Sequence, residues 1–206
     1  MKSMQLVLND LEAESRVLIQ PARRMTEDEY WEFCLANPDL RIERTAEGEI
    51  VIMAPTGWES SYRNADLTAQ LGNWARRDGR GKSLDSNAEY ILPNGAARSP
   101  DASWVERSRL AALTREQKRK FLPLCPDFVV ELTSPSDRLP QVQAKMREWM
   151  ENGAKLGWLL DADNRTAYVY RPGREPERLI APDRLVGEPP VEGFVLELAE
   201  IWDPDI

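Results

Sequence analysis

The sequence predicts a mixed β-sheet with helices against its faces, an α/β or α+β chain, preceded by an N-terminal helix–hairpin extension. Three observations carry this. Residues 55–81 and 139–153 place apolar side chains at helical spacing. "DASWV", "DFVVEL" and "LGWLLD" are short runs rich in strand formers. "DFVVEL" is almost continuously apolar, the mark of a strand covered on both faces.

Residues 1–24 form a polar lead-in with a short apolar patch at 6–8, expected to be partly disordered or appended as a strand or helix. Residues 25–206 are expected to form a single domain. In "MTEDEYWEFCLANPD", Thr26 and Glu29 make a capping box, and Tyr30, Phe33 and Cys34 give a helical stripe that ends before Pro38. "LRIERTAEGEIVIMAP" alternates around Glu47-Gly48 as a hairpin. A long helix follows, with a second capping box expected from Thr56 and Glu59. Its apolar face is Leu67, Leu71, Trp74 and Ala75, and Gly79 stops it. "LDSNAEYIL", "DASWV" and "DFVVEL" read as strands, with a polar helix, "LTREQKRKFL", between the last two. The second core helix, "LPQVQAKMREWMENG", turns Val142, Met146, Trp149 and Met150 inward. A hairpin turning at Asp161–Asn164 comes next, then short strands and a last helical turn.

The bulk numbers narrow the function. The chain has 206 residues, 42% hydrophobic and 30% charged, enough to bury a real core. No run reaches the length of a membrane span. The start lacks the apolar segment of a secretory signal, and two cysteines give neither a disulfide framework nor a zinc cluster, so a cytoplasmic protein is expected. A net charge of −8 argues against a broad basic surface. With no histidine, Ser-His-Asp and Cys-His machinery are excluded, and acid–base work falls to Asp, Glu, Lys, Tyr or water. Any metal would be held by oxygen, which favours magnesium, manganese or calcium.

Two carboxylates look out of place. Glu131 lies inside the apolar "DFVVEL" run, where a bare charge is costly and must be paired, protonated or bound to a cation. Asp101 opens the short strand of "PDASWV" despite poor strand propensity. If the two strands are neighbours, the carboxylates converge on a hard-cation site. The alternative is a turn aspartate and an Arg-paired glutamate. Lys145 borders the inward stripe of the second core helix, three residues after Val142 and four before Trp149. It either covers Trp149 with its methylenes and keeps its ammonium wet, or aims at the carboxylates. Alternation points Glu43 opposite Ile42, toward an exposed position. Asp161 reads as a turn residue, and Gln143 projects away from Lys145.

"PD" at 100–101, "VVEL" at 129–132 and a helical Lys145 resemble the PD-(D/E)XK nuclease superfamily. More specifically, "IERTAEGEIVIMAPTG", "LPNGAARSPDASWV", "CPDFVVELTSPSD", "QAKMREWMENGAKLGWLLD" and "VYRPG" together resemble the Uma2 family of restriction-endonuclease-like proteins, in order over nearly the whole chain. The resemblance implies an α/β fold with a restriction-endonuclease-like core. It implies hydrolysis of DNA phosphodiester bonds assisted by magnesium or manganese, with Asp101 and Glu131 as metal-binding acids. The superfamily's usual lysine position, two residues after the glutamate, is Thr133 here. The lysine matches Lys145 on the following helix instead. Glu43 matches a further family acid and is a candidate catalytic residue on that resemblance. Many members carry a histidine near the start of the first core helix, where this chain has "WESSYRN". A homodimer acting on DNA is implied as well, since duplex cleavage needs two cuts. The competing reading, motivated by the net negative charge, is a non-catalytic nucleic-acid- or protein-interaction module that keeps the fold.

Overall fold

The computed structural model describes residues 16–135 and 137–204, so the apolar patch at 6–8 lies outside the described residues. The chain opens with β1 (Arg16–Ile19), α1 (Glu27–Leu35), β2 (Arg41–Arg44) and β3 (Ile50–Met53). The capping box at the start of α1 forms as expected: the Thr26 side chain accepts from the Glu29 N–H, and the Glu29 carboxylate accepts from the Thr26 N–H. β2 and β3 pair as an antiparallel hairpin, and β1 adds to the outer edge of β3. Two short strands, β5 (Tyr90–Ile91) and β6 (Ala97–Arg98), complete this five-stranded sheet in the order β1-β3-β2-β6-β5. Tyr30, Ile42, Ile50, Ile91 and Ala97 form its small core, which is the helix–hairpin extension.

The main sheet carries the fold. Its strands are β4 (Gly81–Asp85), β7 (Ala102–Glu106), β8 (Phe128–Leu132), β9 (Leu156–Asp161), β10 (Thr166–Tyr170) and β11 (Glu177–Ile180), in the order β11-β10-β9-β8-β7-β4. β8 and β9 run parallel and the other neighbours antiparallel. A parallel pair needs a crossover, which α4 (Leu139–Glu151) supplies. On one face, Leu67, Leu71 and Trp74 of α2 (Trp58–Asp78) pack with Phe128, Val130 and Trp158. The C-terminal segment closes this layer through β12 (Arg184–Val186), β13 (Val195–Glu197) and α5 (Ala199–Trp202). On the other face, Val142, Met146 and Trp149 of α4 pack with Val105, Val129 and Leu159. β8 is therefore buried on both faces throughout, as its apolar run requires. This is the α/β arrangement that the sequence predicts: a mixed sheet flanked by helices, with the helix–hairpin extension before it.

Three local readings are corrected. The cap of α2 is Gly57, with no side-chain hydrogen bond, and Glu59 instead pairs with Arg63 one turn on at 3.2 Å. "LDSNAEYIL" is not one strand. The chain turns at Asp85, whose carboxylate accepts from the Asn87 N–H, and leaves the main sheet for the smaller one. The polar helix over 113–122 is replaced by a short α3 (Arg107–Ala111) and a single 3₁₀ turn at 117–119. Reciprocal Thr114–Gln117 bonds close that turn. Phe121 then leaves it to pack edge-on against Trp31, with ring centroids 4.8 Å apart.

Candidate active site

Strand alternation explains where the carboxylates meet. Phe128, Val130 and Leu132 face α2, so Val129 and Glu131 face α4. In the antiparallel ladder Ala102 lies opposite Val130, and continuing that register sets Asp101 opposite Glu131 on the same face. Asp101 Oδ2 accepts the Leu132 backbone N–H at 2.8 Å, and Oδ1 accepts from the Asn64 side chain of α2 at 2.8 Å. Asp101 thus lies in the bend that leads into β7, with its carboxylate held at the Leu132 N–H next to Glu131. Both line one open cleft of about 1020 Å³, between the start of α2, the loops after β3 and β8, and α4.

Lys145 comes down on this pair from α4. Its Nζ lies 3.0 Å from Glu131 Oε1, 2.8 Å from Glu43 Oε1 and 2.8 Å from the Ser99 carbonyl. The ammonium is therefore half-buried and held in an anionic nest rather than extended into solvent. Trp149, one turn along the same face, donates its indole N–H to Glu131 Oε1 at 2.8 Å. Glu43 is only 3% exposed, against the expectation of an outward position. It accepts the Ser99 N–H at 3.0 Å and an Arg98 guanidinium N–H at 3.2 Å. Arg98 in turn holds Glu148 of α4 at 2.6 Å. Alternation misplaced Glu43 because β2 is covered on both faces at its Glu43 and Arg44 positions.

Sequence reasoning missed the supporting groups: Asn64, Arg98, Ser99, Glu148 and the Trp149 indole. Only Trp149 carried a signal, as the buried neighbour of Lys145 in the α4 stripe. Gln143 and Asp161 stand outside the cluster, Asp161 accepting from Asn164 in the β9–β10 turn.

Burial pushes the Glu131 carboxyl well above the usual carboxylate range. Lys145 pulls it back, and Asp101 and Glu43 add to the upward push. Burial also raises Asp101, against the Leu132 N–H and Lys145. Glu43 behaves oppposite to its neighbours. Burial acts to raise it, but Lys145 and Arg98 outweigh that and hold it down at about 2. Burial works against the Lys145 charge, yet Glu131 and Glu43 hold its proton more tightly and raise it to about 12. Three carboxylates, Glu43, Glu131 and Glu148, thus share two ion-paired cations, Lys145 and Arg98, while Asp101 feels Lys145 through space without a direct bond. Two facing acids that both resist ionisation form a setting a hard divalent cation would relieve, and the donors are all oxygen. No group of three or more acidic, cysteine or histidine side chains is clustered for a metal among the described residues. A cation here would have two protein carboxylates and keep several waters, as magnesium does.

The family model of Uma2, described as "Putative restriction endonuclease", matches residues 27–199. The chain belongs to the Uma2 family. No protein of curated function matches it. Among solved structures, one described as a "putative nuclease belonging to DUF820" from Anabaena variabilis is similar over 86% of this chain and 97% of that chain, with a TM-score of 0.70 and 22% identity. At that identity the likeness speaks for the fold, a nuclease-like α/β architecture. The Uma2 match spans every element from α1 to the start of α5, and so includes Glu43, Asp101, Glu131 and Lys145.

Proposed function

We propose that this Uma2 protein is a divalent-metal-dependent endodeoxyribonuclease in which Asp101 and Glu131 hold magnesium or manganese. The observation that carries the reading is the facing pair of carboxylates, part-buried Asp101 and buried Glu131, in one open cleft, with the Lys145 ammonium against Glu131. When bound, the cation would supply charge neutralisation at a phosphate and lower the pKa of water. Asp101 is oriented by Asn64 and the Leu132 N–H, and Glu131 by the Trp149 indole, so neither side chain need reorganise on binding. Lys145 keeps its proton through neutral pH, which suits it to stabilise negative charge rather than to act as a base. Glu43, held by Arg98 and the Ser99 N–H, positions that ammonium through a second ion pair. DNA is the proposed substrate, and homodimerisation would serve to cut both strands.

The test is cleavage of plasmid DNA with Mg²⁺ or Mn²⁺, set against Asp101→Ala and Lys145→Ala. The proposal expects cleavage by the native chain alone; cleavage that survives both substitutions refutes it. The competing reading, an interaction module that keeps the fold, draws on the net charge of −8 and expects no metal-dependent cleavage.

A further inference from the structure

One large aromatic side chain at the cleft stays mostly in solvent. Trp58, the first residue of α2, is 61% exposed yet lines the same cleft as Asp101, Glu131 and Lys145. Its indole stacks on the Tyr62 ring one turn along α2, with centroids 5.7 Å apart and planes 22° from parallel. Tyr62 is itself fixed, because its hydroxyl donates to Glu200 of α5 at 2.8 Å. The indole is therefore braced by a ring that is anchored elsewhere, and most of its surface is left to solvent.

The charges around it restrict what can bind. Among the described residues, three cations line the cleft, Arg16, Arg41 and Lys145. Arg16 is tied to Asp137, and Lys145 to Glu43 and Glu131. Arg41 makes no ion pair among the described residues and bears electrostatically on Asp101. With a net charge of −8 and so few cations to spare, phosphate contacts alone give weak affinity. Stacking does not depend on net charge. A base within a duplex already has two stacking neighbours, whereas an unpaired base offers a free face.

We propose that Trp58, braced by Tyr62, stacks on an unpaired nucleobase of the substrate, so that the cleft takes single-stranded or locally opened DNA in preference to intact duplex. This rests on the nuclease reading and names its substrate class. Arg41 lies where it can receive a phosphate of the same strand.

The experiment is fluorescence-anisotropy binding with Ca²⁺ present. The probes are a short labelled oligothymidylate, the same strand in a duplex, and the same strand with abasic sites. The chains are the native protein, Trp58→Ala and Trp58→Phe, with circular dichroism to verify folding. The native chain is expected to bind the single strand at least about 5-fold more tightly than the duplex, and Trp58→Ala to lose about 5- to 100-fold on the single strand. Trp58→Phe should retain most of the affinity, and the abasic strand should be insensitive to either substitution. Equal affinity of Trp58→Ala and native chain, or preference for duplex, overturns the inference while leaving plasmid cleavage to decide the nuclease reading. A native chain that neither binds any of the three probes nor cleaves plasmid overturns both.

Discussion

Replacing Lys145 by methionine tests the anionic nest by removing its central charge at nearly constant volume. The ammonium lies 2.8 Å from Glu43 and 3.0 Å from Glu131. At an effective dielectric near 20, each contact is worth roughly 5–6 kcal/mol of attraction before desolvation is subtracted. Removing one partner of a buried pair typically costs about 3–5 kcal/mol. Protonation limits the loss here, because burial already makes Glu131 reluctant to ionise. The expected destabilisation is about 2–4 kcal/mol at pH 7.5, read from urea unfolding. The pH dependence has a definite sign. Without Lys145 the folded-state pKa of Glu131 rises further above that of the unfolded chain, and Glu43, which Lys145 and Arg98 hold low, loses part of that depression, so both carboxylates ionise less favourably in the folded chain. The penalty is then present at high pH and is relieved as pH falls through the raised values. The deficit relative to the native chain should therefore shrink by about half at pH 5.5. A loss below about 1 kcal/mol at pH 7.5, or one that does not shrink on acidification, would refute the reasoning.

Other outcomes follow from the same structure. Asn64→Ala frees one oxygen of Asp101 and should weaken Mn²⁺ binding by about 10- to 100-fold, measured by titration calorimetry, with little change in the unfolding midpoint. Glu89 is buried against the Tyr30 hydroxyl at 2.6 Å, and burial, against that bond, pushes its carboxyl up to about 8. Its contribution to stability should fall as pH rises from about 4.5 to 8, so Glu89→Gln should gain on the order of 3 kcal/mol relative to the native chain between pH 5 and pH 8, by urea unfolding. A Cβ on Gly81 would sit 2.2 Å from the Trp104 ring and 2.5 Å from the Val105 carbonyl oxygen. Gly81→Ala should therefore cost about 2–3 kcal/mol by urea unfolding. On Gly157 the nearest atoms are the flexible Met146 and Met150 termini at 2.5 and 2.9 Å, so Gly157→Ala should cost about 1 kcal/mol by the same assay.

The features read correctly from the sequence are those where one local pattern and one physical demand coincide. Leu67, Leu71, Trp74 and Ala75 share a helical face, and all four are buried in α2. The apolar run around Glu131 demands cover on both faces, and α2 and α4 supply it. The same run makes Glu131 conspicuous, since only a partner could justify a charge there. Lys145 was ambiguous from its helix alone; the parallel β8–β9 crossover decides its direction by laying α4 over Glu131. Glu43 was misread because alternation describes one strand, while its burial comes from Arg98, Ser99 and Lys145, distant in sequence. Asn64 left no trace because its role depends on the cleft formed between α2 and β7. The Thr56–Glu59 capping box was outcompeted by the Glu59–Arg63 pair, and Gly57 took the cap position.

The central claim is that Asp101 and Glu131 together hold a divalent cation. Anomalous diffraction from a crystal soaked in Mn²⁺ tests it most directly. A single strong peak within coordination distance of both carboxylates, absent from Asp101→Asn crystals, is the predicted result. No peak at saturating Mn²⁺, or a peak ligated elsewhere while Asp101 and Glu131 keep their present partners, would contradict the claim.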